Sequence, residues 1–182
     1  MAILKVARLG HPVLRQVAKP VPPAAISTPE IQRLIDDMIE TMHEYDGVGI
    51  AAPQVHQSLQ LAVIEVASNP RYPQAPHIPL TVLINPDITA CVADQHVGWE
   101  GCLSVEGLRG QVPRARRLSV RWLDRAGRAV SREVEGFFAV VIQHEVDHLQ
   151  GKLFLDRMTD LTTLTHLLEY DRYWLRHEDD AD

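Results

Sequence analysis

Two histidines and two carboxylates fall within five residues of an otherwise apolar stretch, Val140-Val141-Ile142-Gln143-His144-Glu145-Val146-Asp147-His148. On a helix, His144 and His148 differ by about 40° around the axis, since each residue turns it by about 100°. Both imidazoles then leave one face and reach one cation. Glu145 sits one step round from His144 and borders such a site without ligating. The order His-Glu-x-x-His on a helix is a metal-hydrolase pattern. The plainer alternative is a pair of hydrogen-bonded core histidines. It is weakened by the apolar setting, because buried imidazoles and carboxylates are costly unless paired or bound to metal.

A catalytic site of this kind needs a third protein ligand and one position for water. In one protease class the third ligand is a histidine six residues after the second. Gly151 is in place for that pattern, but Phe154 occupies the ligand position and cannot bind a metal. A second class takes a glutamate from a later helix, and Glu169 stands 21 residues after His148. The third candidate is Cys102, which follows Gly101 and is flanked by Glu100 and Ser104. A thiolate suits a borderline divalent metal. Cys91 instead reads as a small buried hydrophobe. Spacing alone leaves Glu169 and Cys102 both open.

These residues need a scaffold. Ser27-Thr28-Pro29-Glu30 is a helix start, with a hydroxyl cap, proline in first position and a carboxylate in the first turn. Ile31, Leu34, Ile35, Met38, Ile39 and Met42 then mark one helical face, and Gly47 follows the end. Gly47 to Gln54 is a small-residue loop. Leu59–Val66, Thr81–Ile84, the region from Val97 to Val105, Leu118–Leu123 and Ala129–Val134 read as strands. Residues 69–79 read as a loop, and Asp124-Arg125-Ala126-Gly127 as a hairpin turn. The motif helix begins near Gly136, is apolar almost all round and should be central. Gly151 is placed to end it, and a last amphipathic helix is predicted from Leu161 to Leu175. Helices segregated from strands predict an α+β fold.

The chain has 182 residues, 46% hydrophobic and 23% charged, with a net charge of −6. Residues 1–176 read as a single catalytic domain, and 177–182 as an acidic, frayed tail. The charge argues against broad nucleic-acid binding. No apolar run reaches the roughly 18 residues of a membrane span. Two cysteines fit free thiols in a reducing compartment. Before the first acid, Glu30, come Lys5, Arg8, Arg15 and Lys19, a bias shared with transit peptides. Pro12, Pro20, Pro22 and Pro23 break any amphipathic helix there, so the segment reads as part of the fold.

Three stretches converge on one resemblance. Gly47-Val48-Gly49-Ile50-Ala51-Ala52-Pro53-Gln54, Glu100-Gly101-Cys102-Leu103-Ser104 and Gln143-His144-Glu145-Val146-Asp147-His148 resemble, in order, the three signature motifs of peptide deformylases. Gly10 to Val21 resembles that family's opening strand, and Ser104 to Arg109 its organellar-type members. The resemblance spans about residues 3 to 160. It implies removal of the formyl group from N-formylmethionine on new bacterial or organellar proteins, in the cytoplasm for a bacterial member. It also implies small, mostly antiparallel sheets around a central motif helix, with an N-terminal and a C-terminal helix.

Under that resemblance Cys102, His144 and His148 hold one divalent ion. Fe(II) is the usual metal, and zinc, nickel or cobalt can occupy the site. Glu145 is the base, with Gln54 and the Leu103 backbone N–H as oxyanion donors. The Val48-Gly49 backbone pairs with the peptide, and Arg109 lies near the methionine pocket. Val140 and Val141, one turn before His144, are candidates for lining that pocket, with Phe137 behind them. Nascent N-formylmethionyl chains are the implied partner, with transient ribosome contact. The tail acids Glu178, Asp179, Asp180 and Asp182 fit that contact poorly. The competing readings are a zinc metallopeptidase using His144, His148 and Glu169, and a binding module with a closed structural metal site.

Overall fold

The structure, a computed structural model, describes residues 2–67, 75–91 and 94–175. The tail 177–182, most of the expected loop 69–79 and the side chain of Cys91 lie outside the described residues.

Helix α1 (Pro29–Glu44) begins where the sequence predicts, with Thr28 as N-cap and Pro29 in the first turn. Its buried stripe is Ile31, Ile35, Met38 and Met42. The Thr28 hydroxyl does not cap it. That hydroxyl donates to the Ala25 carbonyl at 2.7 Å, because residues 23–25 form a 3-10 turn that brings the acceptor close.

Strands β1 (Gly49–Ala51), β2 (Leu61–Val66), β3 (Ile78–Cys91), β4 (Gln95–Cys102), β5 (Val105–Ala115), β6 (Arg117–Leu123) and β7 (Ala129–Glu135) follow. Then come α2 (Gly136–Leu149), β8 (Thr165–His166) and α3 (Leu167–Tyr173). The described strands form two antiparallel sheets, ordered β1-β2-β3-β6-β7 and β4-β5-β8. The larger sheet is covered on both faces. Along β2, Ala62, Ile64 and Val66 pack with α2, while Leu61 and Val63 pack with α1. This is the two-residue alternation of a strand with two hydrophobic coats. A third cluster, including Leu14, Val112, Leu153 and Phe154, lies under the smaller sheet and contains Cys102.

The N-terminal segment is not the expected strand. Pro12 opens a 3-10 turn at Pro12–Arg15, and the segment's ladder pairing among the described residues is the single Lys19–Leu59 bridge. It is nevertheless built into the fold, with Val6, Ala7, Leu14, Ala18 and Val21 buried. It also ties the motif stretches together. Ala7 N–H donates to Gln54 O at 2.7 Å, Leu9 N–H to Ser104 O at 2.7 Å and Ala18 N–H to Leu149 O at 2.9 Å.

Three other expectations change. β3 runs well beyond Ile84, through register shifts on either side of Asp87 and Ile88. The predicted strand around Val97 to Val105 is really β4, a tight turn at Leu103-Ser104 and the start of β5. Gly107, Gly110 and Pro113 disguise β5 as a loop. Gly107 has φ +73°, and Pro113 lies where β5 pairs with β4 alone. The helix predicted from Leu161 to Leu175 is a 3-10 turn capped by Asp160, the short β8 and the seven-residue α3. Its leucine spacing mimicked a helical stripe, yet Leu161 and Leu168 are exposed. No described helix is long and apolar enough to cross a membrane.

Candidate metal centre and active site

Helix α2 supplies most of the site. As its sequence predicts, it is central, burying Ala139, Val141, Ile142 and Val146 together with Glu145, Asp147 and His148. It stops at Leu149, and Gly151 follows with φ +71°. A Cβ there would lie 2.8 Å from the Arg15 backbone, so glycine lets the N-terminal segment cross the helix end.

One donor atom from each of Cys102, His144 and His148 lies within 4.8 Å of the other two. Cys102 ends β4, and the two-residue turn after it brings the thiol back towards α2. Its Sγ is 3.3 Å from His148 Nε2 and accepts from Ser104 N–H at 3.4 Å. Burial works against the thiolate, but the His148 and His144 imidazoles outweigh it, and the thiol pKa falls well below its ordinary value. Glu169 takes no part. It lies on α3, half-exposed, and pairs with Arg172 at 3.2 Å. Phe154 is fully buried and stacks against His144, with ring centroids 6.4 Å apart.

The His144 imidazole is held from behind, whereas His148 Nδ1 has no hydrogen-bond partner among the described residues. Glu100 Oε2 lies 2.8 Å from His144 Nδ1, so Nδ1 carries the proton and Nε2 is left to bind a metal. Arg114 grips Glu100 at 2.7 and 3.0 Å and reaches Asp147 at 2.6 Å. Arg157 closes on Asp147 at 2.6 Å. Burial would raise the Glu100 pKa, but hydrogen bonds with His144 and Arg114 bring it down to about 2. The sequence places Glu100 and Asp147 inside motifs. Arg114 and Arg157 carry no such signal, since arginines abound nearby.

Glu145 is buried, and its Oε2 has no hydrogen-bond partner among the described residues. Burial raises its pKa to about 7. Gly49 makes room for it. A Cβ at Gly49 would overlap the Glu145 carboxylate, 2.9 Å from Cδ and closer still to Oε1. Gln54 is fully buried. Its Oε1 accepts from Ala51 N–H at 2.8 Å, which turns Nε2 towards Ser104 Oγ at 3.2 Å and Cys102 Sγ at 3.5 Å.

A small cavity of about 40 Å³ lies here, bordered by Val48, Gln54, Leu103, Val140, Val141 and Glu145 among others. Phe137 and Gly49 also border it. At roughly 10–15 Å³ per water it holds a few waters or an ion with one water. Arg109 does not reach it. That arginine is buried within β5, opposite Gly101, with its guanidinium 4.9 Å from the Tyr170 ring centroid. It borders an adjoining groove that shares Cys102 and Leu103 with the small cavity. The β1 backbone is at the sheet edge, with Val48 O already accepting from Glu65 N–H at 3.1 Å.

A low-pKa thiolate and two imidazoles, one with its proton fixed away from the others, form a three-ligand set suited to a borderline divalent ion. The residues present fit a metal.

The family pattern described as Polypeptide deformylase matches residues 3–163. Peptide deformylase 2 of Bordetella bronchiseptica is 51% identical over 161 residues, 88% of this chain and 89% of its own. Peptide deformylase 2 of Nostoc sp. is 46% identical over 164 residues, 90% of each chain. Among solved structures, the class I type b peptide deformylase of Acinetobacter baumannii superposes with a TM-score of 0.85 at 42% identity. That match covers 87% of this chain and all of the other. The match over residues 3–163, the 51% identity with a relative and the superposed fold lead, with the convergence of sulfur and two imidazoles, to one conclusion: the chain belongs to the peptide deformylase family.

Proposed function

We propose that this chain is a metal-dependent hydrolase that releases formate from the N-terminal formylmethionine of newly made proteins. One observation carries the reading. A buried carboxylate with an unpartnered oxygen, Glu145, borders a three-ligand set of one thiol and two imidazoles.

Cys102, His144 and His148 are the ligands. We take Fe(II) as the native ion, with zinc, nickel or cobalt able to replace it. When bound, the ion supplies Lewis acidity that makes water a nucleophile near neutral pH. Glu145 takes the proton from the attacking water. Its raised pKa, about 7, suits a group that must both accept and return a proton. It then delivers that proton to the departing amine.

Charge developing on the formyl oxygen meets Gln54 Nε2 and the Leu103 backbone N–H. Gln54 is fixed by its own bond to Ala51, so it needs little reorganisation when charge appears. The open side of β1 at Val48-Gly49 receives the peptide in extended form. Phe137, Val140 and Val141 offer apolar surface to the methionine side chain, and Arg109 borders the groove that later residues enter. A related A. baumannii enzyme, 42% identical with a TM-score of 0.84, has been solved with Met-Ala-Ser bound. That sequence is what deformylation of formyl-Met-Ala-Ser would leave.

The reading places the enzyme in the cytoplasm with nascent chains as its partner. Residues 1–176 act as one catalytic domain, and any ribosome contact is transient. Glu145→Ala should keep its metal and lose at least about 100-fold in deformylation of formyl-Met-Ala-Ser, as general-base removal typically costs. Near-normal turnover with metal retained would remove Glu145 from the role of base.

A further inference from the structure

A second, larger cavity adjoins the small one. It has a volume of about 740 Å³ and shares Trp99, Glu100, Phe137 and Val140 with the cavity beside the metal ligands. The small cavity, at about 40 Å³, holds little more than the reacting atoms. A side chain on the first residue of the substrate therefore extends past Phe137 and Val140 into the larger one. A volume of this size lies within the roughly 300–1,000 Å³ of pockets that take whole drug-sized ligands. It far exceeds the need of one methionine side chain.

The reason for its size is visible in the β4–β5 hairpin. Side chains alternate along a strand, so His96, Gly98 and Glu100 share one face of β4, and all three border the cavity. Val112 and Arg114 do the same along β5, with Arg116 just beyond its end. Gly98 pairs directly with Val112, and there the lining of β4 lacks a side chain. A Cβ at Gly98 would meet only the His96 imidazole, at 3.3 Å, and His96 is exposed and free to swing aside. Nothing in the packing demands glycine at this position. What its absence of side chain provides is depth.

The charges do not close the space. Arg114 is paired with Glu100 at 2.7 Å, Arg117 with Glu135 at 3.1 Å and Arg116 with Asp94 at 3.4 Å. Each rim charge has its counter-charge. An apolar chain entering along Phe137, Val140 and Val112 leaves these pairs intact.

We propose that Gly98 deepens the cavity that adjoins the first-residue pocket, so that the enzyme accepts N-formyl peptides whose first side chain is much longer than methionine. The proposal rests on the deformylase reading above and makes Gly98 the residue that sets chain-length tolerance. The test is a ruler of straight-chain substrates, formyl-X-Ala-Ser, with X norleucine or 2-aminodecanoic acid, read as formate release by the metal-loaded enzyme. The long substrate should retain kcat/KM within tenfold of the norleucine peptide. Gly98→Leu should lower the long-to-short ratio at least tenfold more, with metal content and Tm checked to confirm a folded protein.

A drop of more than tenfold for the long substrate in the wild-type enzyme overturns the inference, whatever the variant does. A ratio unmoved in folded Gly98→Leu overturns the assignment to Gly98. Failure of the wild-type enzyme to hydrolyse formyl-Met-Ala-Ser defeats the deformylase reading itself, and is thereby distinct from refusal of the long chain alone.

Discussion

Glu145 can occupy its place only because residue 49 has no side chain. The ideal Cβ of Gly49 would sit 3.1 Å from Glu145 Cγ and 2.9 Å from Cδ. Gly49→Ala must therefore rotate the carboxylate away. A displacement of about 1 Å in a reacting group can cost on the order of 100-fold in rate. The expected result is a kcat loss of that order with metal content unchanged, measured by formate release and elemental analysis. Glu100 supports a second prediction at this scale. Its folded pKa, about 2, lies below the ordinary 4.5, so the unfolded chain binds the proton more readily between those values. The stabilisation is complete above pH 4.5 and is lost as pH falls towards 2. Urea midpoints should show wild type losing on the order of 2 kcal/mol more than Glu100→Gln between pH 6 and pH 3. The metal ligands and Glu145 were legible because their chemistry is written in residue type and spacing. Arg114 was not, since its role depends on β5 facing α2, and no local pattern announces that pairing.

Elements locate these residues by where they stop. Helix α2 delivers His148 in its last turn, and the chain must then leave while the N-terminal segment crosses the helix end. Gly151 meets both needs, with its left-handed backbone and its contact with Arg15. Gly151→Ala adds a left-handed penalty of about 1–2 kcal/mol and a collision with backbone that cannot rotate aside. An overall loss of about 2–4 kcal/mol is expected in urea unfolding. An unchanged midpoint would mean that the N-terminal crossing is slack. The start and stop of α2 were legible from Gly136 and Gly151, and α1 from Thr28 and Pro29. The turn between β4 and β5 is hidden in the sequence because Leu103-Ser104 lacks the glycine, proline, asparagine or aspartate that marks most turns, so Val97 to Val105 reads as one strand. That turn is shaped by its partners instead. Leu9 N–H binds Ser104 O, and Gln54 Nε2 binds Ser104 Oγ. Contacts this distant in sequence leave no periodic trace.

At the scale of the molecule, both ends of the described chain fold back on the site. The N-terminal segment ties Gln54, Ser104 and Leu149, one residue from or within each motif stretch, through three backbone bonds. The other end lies beyond the family match, which stops at residue 163. There β8 pairs with Leu108 and Arg109, and Tyr170 of α3 is buried against Trp99 with centroids 5.0 Å apart. Trp174 lies 5.1 Å from the same indole, and the Arg109 guanidinium covers Tyr170 at 4.9 Å. The leucine spacing concealed this arrangement, because the residues that anchor the segment are aromatic and the leucines face solvent. α3 has only seven residues, too few to be stable unaided. It is held by Tyr170, and removing that ring should free the segment. Burial of an aromatic side chain contributes about 1.5–3 kcal/mol, and an aromatic pair about 0.5–1.5 more. Tyr170→Ala should thus lower stability by about 3 kcal/mol, or Tm by roughly 6–12 °C for a chain of this length. Because Trp99 also borders the site cavities, its fluorescence should shift to the red and quench more readily in the same variant. A lowered Tm with Trp99 emission unchanged would mean that the indole is held by the β4–β5 sheet alone, and that the C-terminal segment rests on the site without shaping it.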